Sequence, residues 1–208
     1  DEVLEVADRL LEKDEKVTVE RAFEKEPEAV KEHYIEENLP VATPVFAFGY
    51  KENIEGDCCT LEEEIAMSLI LDIAAGQISS LYKELLDEGL INGTFSTEFF
   101  NGFNYSAPIF SGESTDPEKV SERINERLQQ LKKTGVTSDE FETVRKKQYG
   151  KTVRAFSDID TVANGLVISH FEDEELFSEF EVIKNLKLDF VNELLKKSFN
   201  EDMTVLSV

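Results

Sequence analysis

The chain predicts a single α+β domain, in the order strand, helix pair, β-hairpin, further helices and closing strand. Three observations carry that reading. Leu61, Ile65, Leu69 and Ile73 recur at four-residue spacing, backed by Ala66, Ile70 and Ala74, which is the pattern of a helix packed in a core. The apolar runs Thr94–Phe100 and Tyr105–Gly112 flank Asn101-Gly102, a turn pair that joins adjacent strands. The remaining segments are amphipathic stretches set off by residues that start and stop helices, and the closing MTVLSV reads as a strand.

Residues 1–13 place Val3, Leu4, Val6, Ala7, Leu10 and Leu11 on one helical stripe with charges opposite. Lys16–Ala22 alternates and reads as a strand near an edge. Residues 1–22 together are assigned to a tail or linker from a preceding domain, and 23–208 to the domain proper. Phe23–Pro40 is a charged connector with room for a short helix. Val41–Tyr50 is apolar on both faces, as a buried strand is, and Pro44 places its start at an edge or bulge. Thr60 is the N-cap of the Leu61–Ala75 helix, whose Glu62, Glu63 and Glu64 suit the positive end of the dipole. Ser79–Glu88 is a second helix, with Leu81, Tyr82, Leu85 and Leu86 inward and Gly89 as its stop. Asp116 and Pro117 open a helix to Lys133, with Val120, Ile124, Leu128 and Leu131 as its stripe and Gly135 at its end. Thr137 or Ser138 caps the next helix, through Phe141, Val144, Tyr149 and Val153. Gly150 inside it costs about 1 kcal/mol and predicts close packing or a bend. Ile159–Phe171, Glu175–Asn185 and Asp189–Phe199 complete the helices.

With 208 residues, 40% of them apolar and 15 of them Phe, the chain can fill one sizeable core. A formal net charge of −23 argues against nucleic acid and against an anionic membrane surface, since both require clustered Lys and Arg. No run reaches the ~18 apolar residues of a membrane span. Cys58 and Cys59 are adjacent, so they are expected to stay thiols, which fits a reducing cytoplasm. The first residue is not Met and the first segment is acidic and amphipathic, unlike a secretory signal, so the sequence reads as a fragment or a processed product.

His33 and His170 are the two histidines, and neither lies in a His-x-x-Glu-His motif. His33 has carboxylates around it but no second His, and reads as a surface residue. His170 precedes a run of acids and, on a helix, would pair with Glu174. No nucleophile elbow, P-loop or dinucleotide-binding glycine motif is present. The 45 acids give too many chance pairs for a catalytic dyad to be named. The one basic concentration is Arg145, Lys146, Lys147, Lys151 and Arg154. It reads either as an ion-paired helix face through Glu142 or as a patch that docks an acidic partner or a substrate carboxylate.

Gly76–Phe100, GQISSLYKELLDEGLINGTFSTEFF, resembles the "small-S-x-L-(F/Y)-x-E-L/I…G-L" segment of the non-catalytic domains of pitrilysin/insulinase-type zinc peptidases, which include the mitochondrial processing peptidases. Further stretches resemble the same family, especially its short bacterial insulinase-like members. AFEKEPEAVKEHYIEENLPVATPVFAFGYKEN resembles the interdomain approach and first strand, and FSGESTDPEKVSERINERL a "T-x-P-E-K-x-x-E" helix. SDEFETVRKKQYGKTVRAFSDIDTVAN resembles an "F-E-R-x-K-(K/R)-x-x-G" helix, and NEDMTVLSV the closing strand. The likeness runs in order over residues 20–208, and its collinearity counts for more than any single motif.

The resemblance implies a mostly antiparallel sheet backed by helices, the half-domain fold of LuxS-like and processing-peptidase-like metallopeptidases. It implies a carboxy-terminal inactive domain facing a zinc domain, the amino-terminal catalytic domain of the same or a paired polypeptide, across a peptide chamber. It also implies a homo- or heterodimer. Zinc is expected in the parent's catalytic domain and not in this chain, which alone is expected to cleave nothing. In the family, a later domain supplies an Arg and a Tyr from a motif like "R-E-K-R-G-L-A-Y". Aligned on Gly89-Leu90, those positions fall on Leu86 and Asn92 with one residue missing between, so no catalytic residue carries over. Substrate contact is expected along the strands, at Thr94, Phe95, Thr97 and Phe99, with the docking patch at Arg145, Lys147, Lys151 and Arg154. Two alternatives stand beside this reading: a stand-alone scaffold or non-catalytic partner subunit, and a metal-free hydrolase assembled from scattered acids.

Overall fold

The four-residue spacing becomes a helix, Leu61–Ala75, that buries Ile65, Ala66, Met67, Leu69, Ile70, Leu71, Ile73, Ala74 and Ala75. A helix apolar on nearly every side has to be enclosed by protein. Its start is fixed by a capping box: the Glu63 N–H donates to Thr60 Oγ1 at 3.2 Å and the Thr60 N–H donates to Glu63 Oε2 at 2.9 Å. The computed structural model describes residues 2–11, 22, 27–52, 58–172 and 175–208. Along the chain, the elements are α1 (Glu2–Leu10), β1 (Tyr34–Ile35), β2 (Val45–Tyr50), α2 (Leu61–Ala75), α3 (Ser80–Asp87), β3 (Ser96–Gly102) and β4 (Tyr105–Glu113). Then come α4 (Pro117–Thr134), α5 (Ser138–Ala155), α6 (Ile159–Glu172), α7 (Ser178–Asn185), α8 (Leu188–Lys197) and, after a short 3-10 turn, β5 (Thr204–Ser207).

The strands form one sheet in the order β1-β5-β2-β4-β3. β1 runs parallel to β5, and every other pairing is antiparallel. Register sets two faces. Phe46, Phe48 and Tyr50 of β2 are buried with Phe110 of β4 and Leu206 of β5, and this face meets the helices. Val45, Ala47, Ile109, Val205, Glu98 and Phe100 fall on the opposite parity, half-buried or exposed. α2 lies at the centre of the helical layer, touching α3, α4, α5, α7 and α8 as well as β3. Each large side chain that it helps to enclose, such as Phe110 or Ile70, contributes about 1.5–3 kcal/mol. Among the described side chains α1 and α6 bury none, and Leu4, Leu10, Ile159 and Phe171 lie open on them.

Several boundaries differ from the sequence reading. Val41–Tyr50 is a strand only from Val45, and it alternates instead of being buried on both faces, because among the described residues only one face packs on the helical layer. The hairpin turns two residues late. Asn101 and Gly102 pair with Ser106 and Tyr105, and the chain reverses at Phe103-Asn104, where Asn104 takes φ 66°. In place of a short helix in the charged connector, its described part forms β1, stabilised by pairing with β5. The strand expected at Lys16–Ala22 falls almost wholly outside the described residues. Gly150 is neither tightly packed nor at a break: a Cβ there would meet nothing within 4 Å, and α5 runs through it. Gly112 is the opposite case, since a Cβ would lie 2.8 Å from Phe95 Cα.

One acid sits on the inner face. Glu52 follows β2 at the parity of Phe46, Phe48 and Tyr50, and its Oε1 accepts the N–H of Phe199 at 2.6 Å. That bond holds Phe199 at φ 59°, where the chain leaves α8 for β5. Lys132 donates to the carbonyls of Ser198 and Phe199 at 2.7 and 3.3 Å. Burial pushes the Glu52 carboxyl from 4.5 up to about 7, although the Phe199 N–H and Lys132 both favour the charge. Burial also raises the Tyr50 phenol, with Glu201 and Glu52 adding to it. That phenol donates to Asn125 Oδ1 at 2.7 Å.

Two stability tests follow from this packing. Gly112→Ala should cost about 2 kcal/mol or more, and Gly150→Ala should gain about 0.5–1 kcal/mol, both read by urea denaturation. Equal effects at the two sites would contradict the packing. For Glu52 the folded group binds a proton more tightly than the unfolded one. Between pH 4.5 and about 7 the folded state keeps a proton that the unfolded chain has released, so its contribution to stability falls as pH rises. The whole difference is on the order of 3 kcal/mol. Glu52→Gln retains an acceptor for Phe199 and loses the charge. It should match the wild type near pH 4.5 and exceed it by about 2–3 kcal/mol at pH 8; a difference that does not change with pH would refute the burial argument.

Candidate functional site

β3 is the last strand of the sheet, so one of its edges has no partner strand among the described residues. The loop that delivers it turns on Asn92. Asn92 Oδ1 accepts from Thr94 N–H (2.9 Å) and Thr94 Oγ1 (2.7 Å), while Asn92 Nδ2 donates to Glu113 Oε2 (2.6 Å). Thr94 Oγ1 in turn accepts the Glu113 N–H at 2.9 Å, fixing the start of β3 against the end of β4. On the bare face, Ser96, Glu98 and Phe100 stand beside Ser111, Ile109 and Ala107. The Phe100 and Tyr105 rings lie 5.2 Å apart.

The four strand residues proposed for substrate contact do not share a surface. Phe95 is 3% exposed and packs on Phe46 and Tyr82, so it belongs to the core. The Thr94 hydroxyl is committed to its own loop. Thr97 and Phe99 are half-buried and point to the helical side, opposite Phe110 and Pro108. The exposed alternative is the other parity, Ser96, Glu98 and Phe100. Among the basic residues, two are engaged in holding helices together. Arg145 Nη2 donates to Glu142 Oε2 and Nη1 to the Lys184 carbonyl, each at 2.8 Å, and the guanidinium lies 5.6 Å from the Phe141 ring centre. Lys147 Nζ grips both oxygens of Asp72 on α2, at 2.9 and 2.8 Å. Lys151 and Arg154 are exposed farther along α5.

Leu86 is exposed on α3, and Asn92 is the loop anchor just described, so neither presents a charge or a phenol for catalysis. His33 Nδ1 lies 2.9 Å from the Thr204 carbonyl on the surface. His170 is exposed beside Phe171, and its expected partner Glu174 lies outside the described residues. No group of three His, Cys, Asp or Glu side chains among the described residues is placed to hold a metal ion.

Sequence reasoning passed over a cavity of about 450 Å³ on the helical side, bordered by α2, α8 and the start of β4. Met67, Phe99, Phe190 and Leu194 form its apolar wall, and Glu52 reaches it. The signal was there: two-residue alternation from Phe46 through Tyr50 puts Glu52 inward.

Comparison with known proteins agrees with this architecture. The family model described as the peptidase M16 inactive domain matches residues 1–148. YmfH of Bacillus subtilis, an uncharacterised zinc protease, is 27% identical over 149 residues; the match covers 71% of this chain and 35% of that protein. An M16-like peptidase from Alicyclobacillus acidocaldarius superposes with a TM-score of 0.88 at 25% identity, over 99% of this chain and 50% of that one. The inactive peptidase domain of a zinc protease from Bordetella parapertussis shares the fold, with a TM-score of 0.65 at 17% identity, over 82% of this chain and 91% of that one. The chain thus spans about a third of the length of YmfH and half that of the Alicyclobacillus peptidase. With the inactive-domain pattern running through more than half of its residues, the chain belongs to the peptidase M16 inactive-domain family.

Proposed function

We propose that this domain is the non-catalytic wall of a zinc peptidase chamber, set opposite a zinc-bearing half on the same or a paired polypeptide. The observation that carries the reading is the sheet itself, uncovered on one face among the described residues and ending in β3. An edge strand can take up an extended peptide through main-chain hydrogen bonds, while neighbouring side chains select among sequences. Phe100, Tyr105 and Ile109 supply apolar contact on that face, and Glu98 supplies charge. A net charge of −23 favours the approach of basic peptides. Hydrolysis in this scheme belongs to the other half, whose zinc polarises the scissile carbonyl and activates water. A cytoplasmic location is part of the same reading, on the ground that Cys58 and Cys59 are free thiols.

The test uses the full-length peptidase and a basic fluorogenic peptide. Phe100→Ala combined with Ile109→Ala should raise KM about fivefold while kcat changes less than about twofold, the signature of lost ground-state binding. An unchanged KM would take this face out of the substrate's path. The 208-residue chain alone is expected to bind no zinc and cleave nothing. Stoichiometric zinc, with cleavage that a chelator stops, would overturn the assignment.

A further inference from the structure

The cavity beside α8 has the size of a small-ligand site, about 450 Å³. It combines an apolar wall of Met67, Phe99 and Leu194 with one inward carboxylate, Glu52. Glu52 Oε1 is committed to the Phe199 N–H at 2.6 Å, whereas Oε2 has no hydrogen-bond donor among the described residues. Buried Ser106 lies beside it, its carbonyl accepting the Glu52 N–H at 2.9 Å. Exposed Glu193 and Lys197 stand at the rim with Glu63. Among the described residues, Lys132 from α4, Tyr50 from β2, Cys58 and Cys59 are further ionisable groups near Glu52. Lys132 is already committed to two carbonyls, so the charged form of Glu52 is only partly compensated.

We propose that this cavity binds a primary alkylammonium group, such as the end of a lysine side chain, with the cation on Glu52 Oε2 and the hydrocarbon stem against Met67, Phe99 and Leu194. An anion would meet three glutamates and a single lysine on the walls. A guanidinium pairs best with both oxygens of a carboxylate, and here Phe199 holds one of them. An ammonium needs only the free oxygen and can place its remaining donors on Ser106 or water. The apolar wall distinguishes an alkyl amine from a bare ammonium ion. The carboxyl titrates near 7, so a bound cation would draw its proton off and binding should strengthen with rising pH. The site belongs to this domain and stands whether or not the domain lines a chamber.

The test is an NMR titration of the 15N-labelled 208-residue chain. The probes are n-pentylammonium, acetyl-Gly-Lys-Gly-amide and neutral n-pentanol. Saturable shifts are expected at the amides of Glu52, Met67, Ser106 and Leu194 with pentylammonium, tighter at pH 8 than at pH 6, and weak with pentanol. Saturation by the lysine peptide as well identifies a protein side chain as the source, and saturation by pentylammonium alone identifies a free amine. Glu52→Gln should weaken the amine about tenfold or more and remove the pH dependence. Pentanol binding as tightly as the amine, no saturable shift at those amides, or unaltered affinity in Glu52→Gln overturns the proposal. The contrast between amine and alcohol needs no variant, so it decides the matter even if Glu52→Gln folds poorly.

Discussion

The enclosure of α2 is the constraint on which the rest of the structure depends. A helix with nine buried residues in fifteen cannot face water on any broad side, so the sheet takes one flank and α3, α4, α5, α7 and α8 take the others. All of this covering is drawn to one side of the sheet. Among the described residues the packed helices leave the opposite face uncovered, a consequence of where the apolar surface had to go. The Lys147–Asp72 pair sits at the last turn of α2, where α5 crosses it. Both side chains are partly exposed, so the pair adds less than about 1 kcal/mol and serves mainly to fix α5 against a helix already held by burial.

What could be read from the sequence was local. Thr60, Asp116 and Thr137 announce their helices because a cap is decided within four residues, and all three make the expected side-chain hydrogen bond. The apolar stripes of α2 and α4 gave their buried faces for the same reason. Non-local features stayed hidden. β1 has two residues and exists only because β5, some 170 positions later, lies beside it. Strand order decides which edge is free, and no short segment encodes it. The hairpin shows the limit within a local motif: Asn101-Gly102 is a good turn pair, yet pairing carried on to Gly102–Tyr105 and moved the reversal onto Asn104. The same two-residue displacement explains the contact residues. Taking β3 to begin at Thr94 made Thr94 and Phe95 strand positions, whereas they belong to the turn and the core that precede it.

Leu86 and Asn92 hold structural places in this fold. Where the resemblance puts an Arg and a Tyr, this chain has an exposed apolar side chain and an amide that ties a loop together with three hydrogen bonds. The Asn92 side chain sets the start of β3, the last strand of the sheet.

Glu52 points the other way. A glutamine could hold the Phe199 turn equally well and would avoid a buried charge that costs on the order of 3 kcal/mol above neutral pH. The turn therefore needs an acceptor but gives no reason for that acceptor to be an acid. Glu52 lines a cavity with an apolar wall and is not enclosed in packed core. A cation that comes to such a site would account for a carboxylate there, which is the physical ground for looking for a ligand at Glu52 and not for a structural partner.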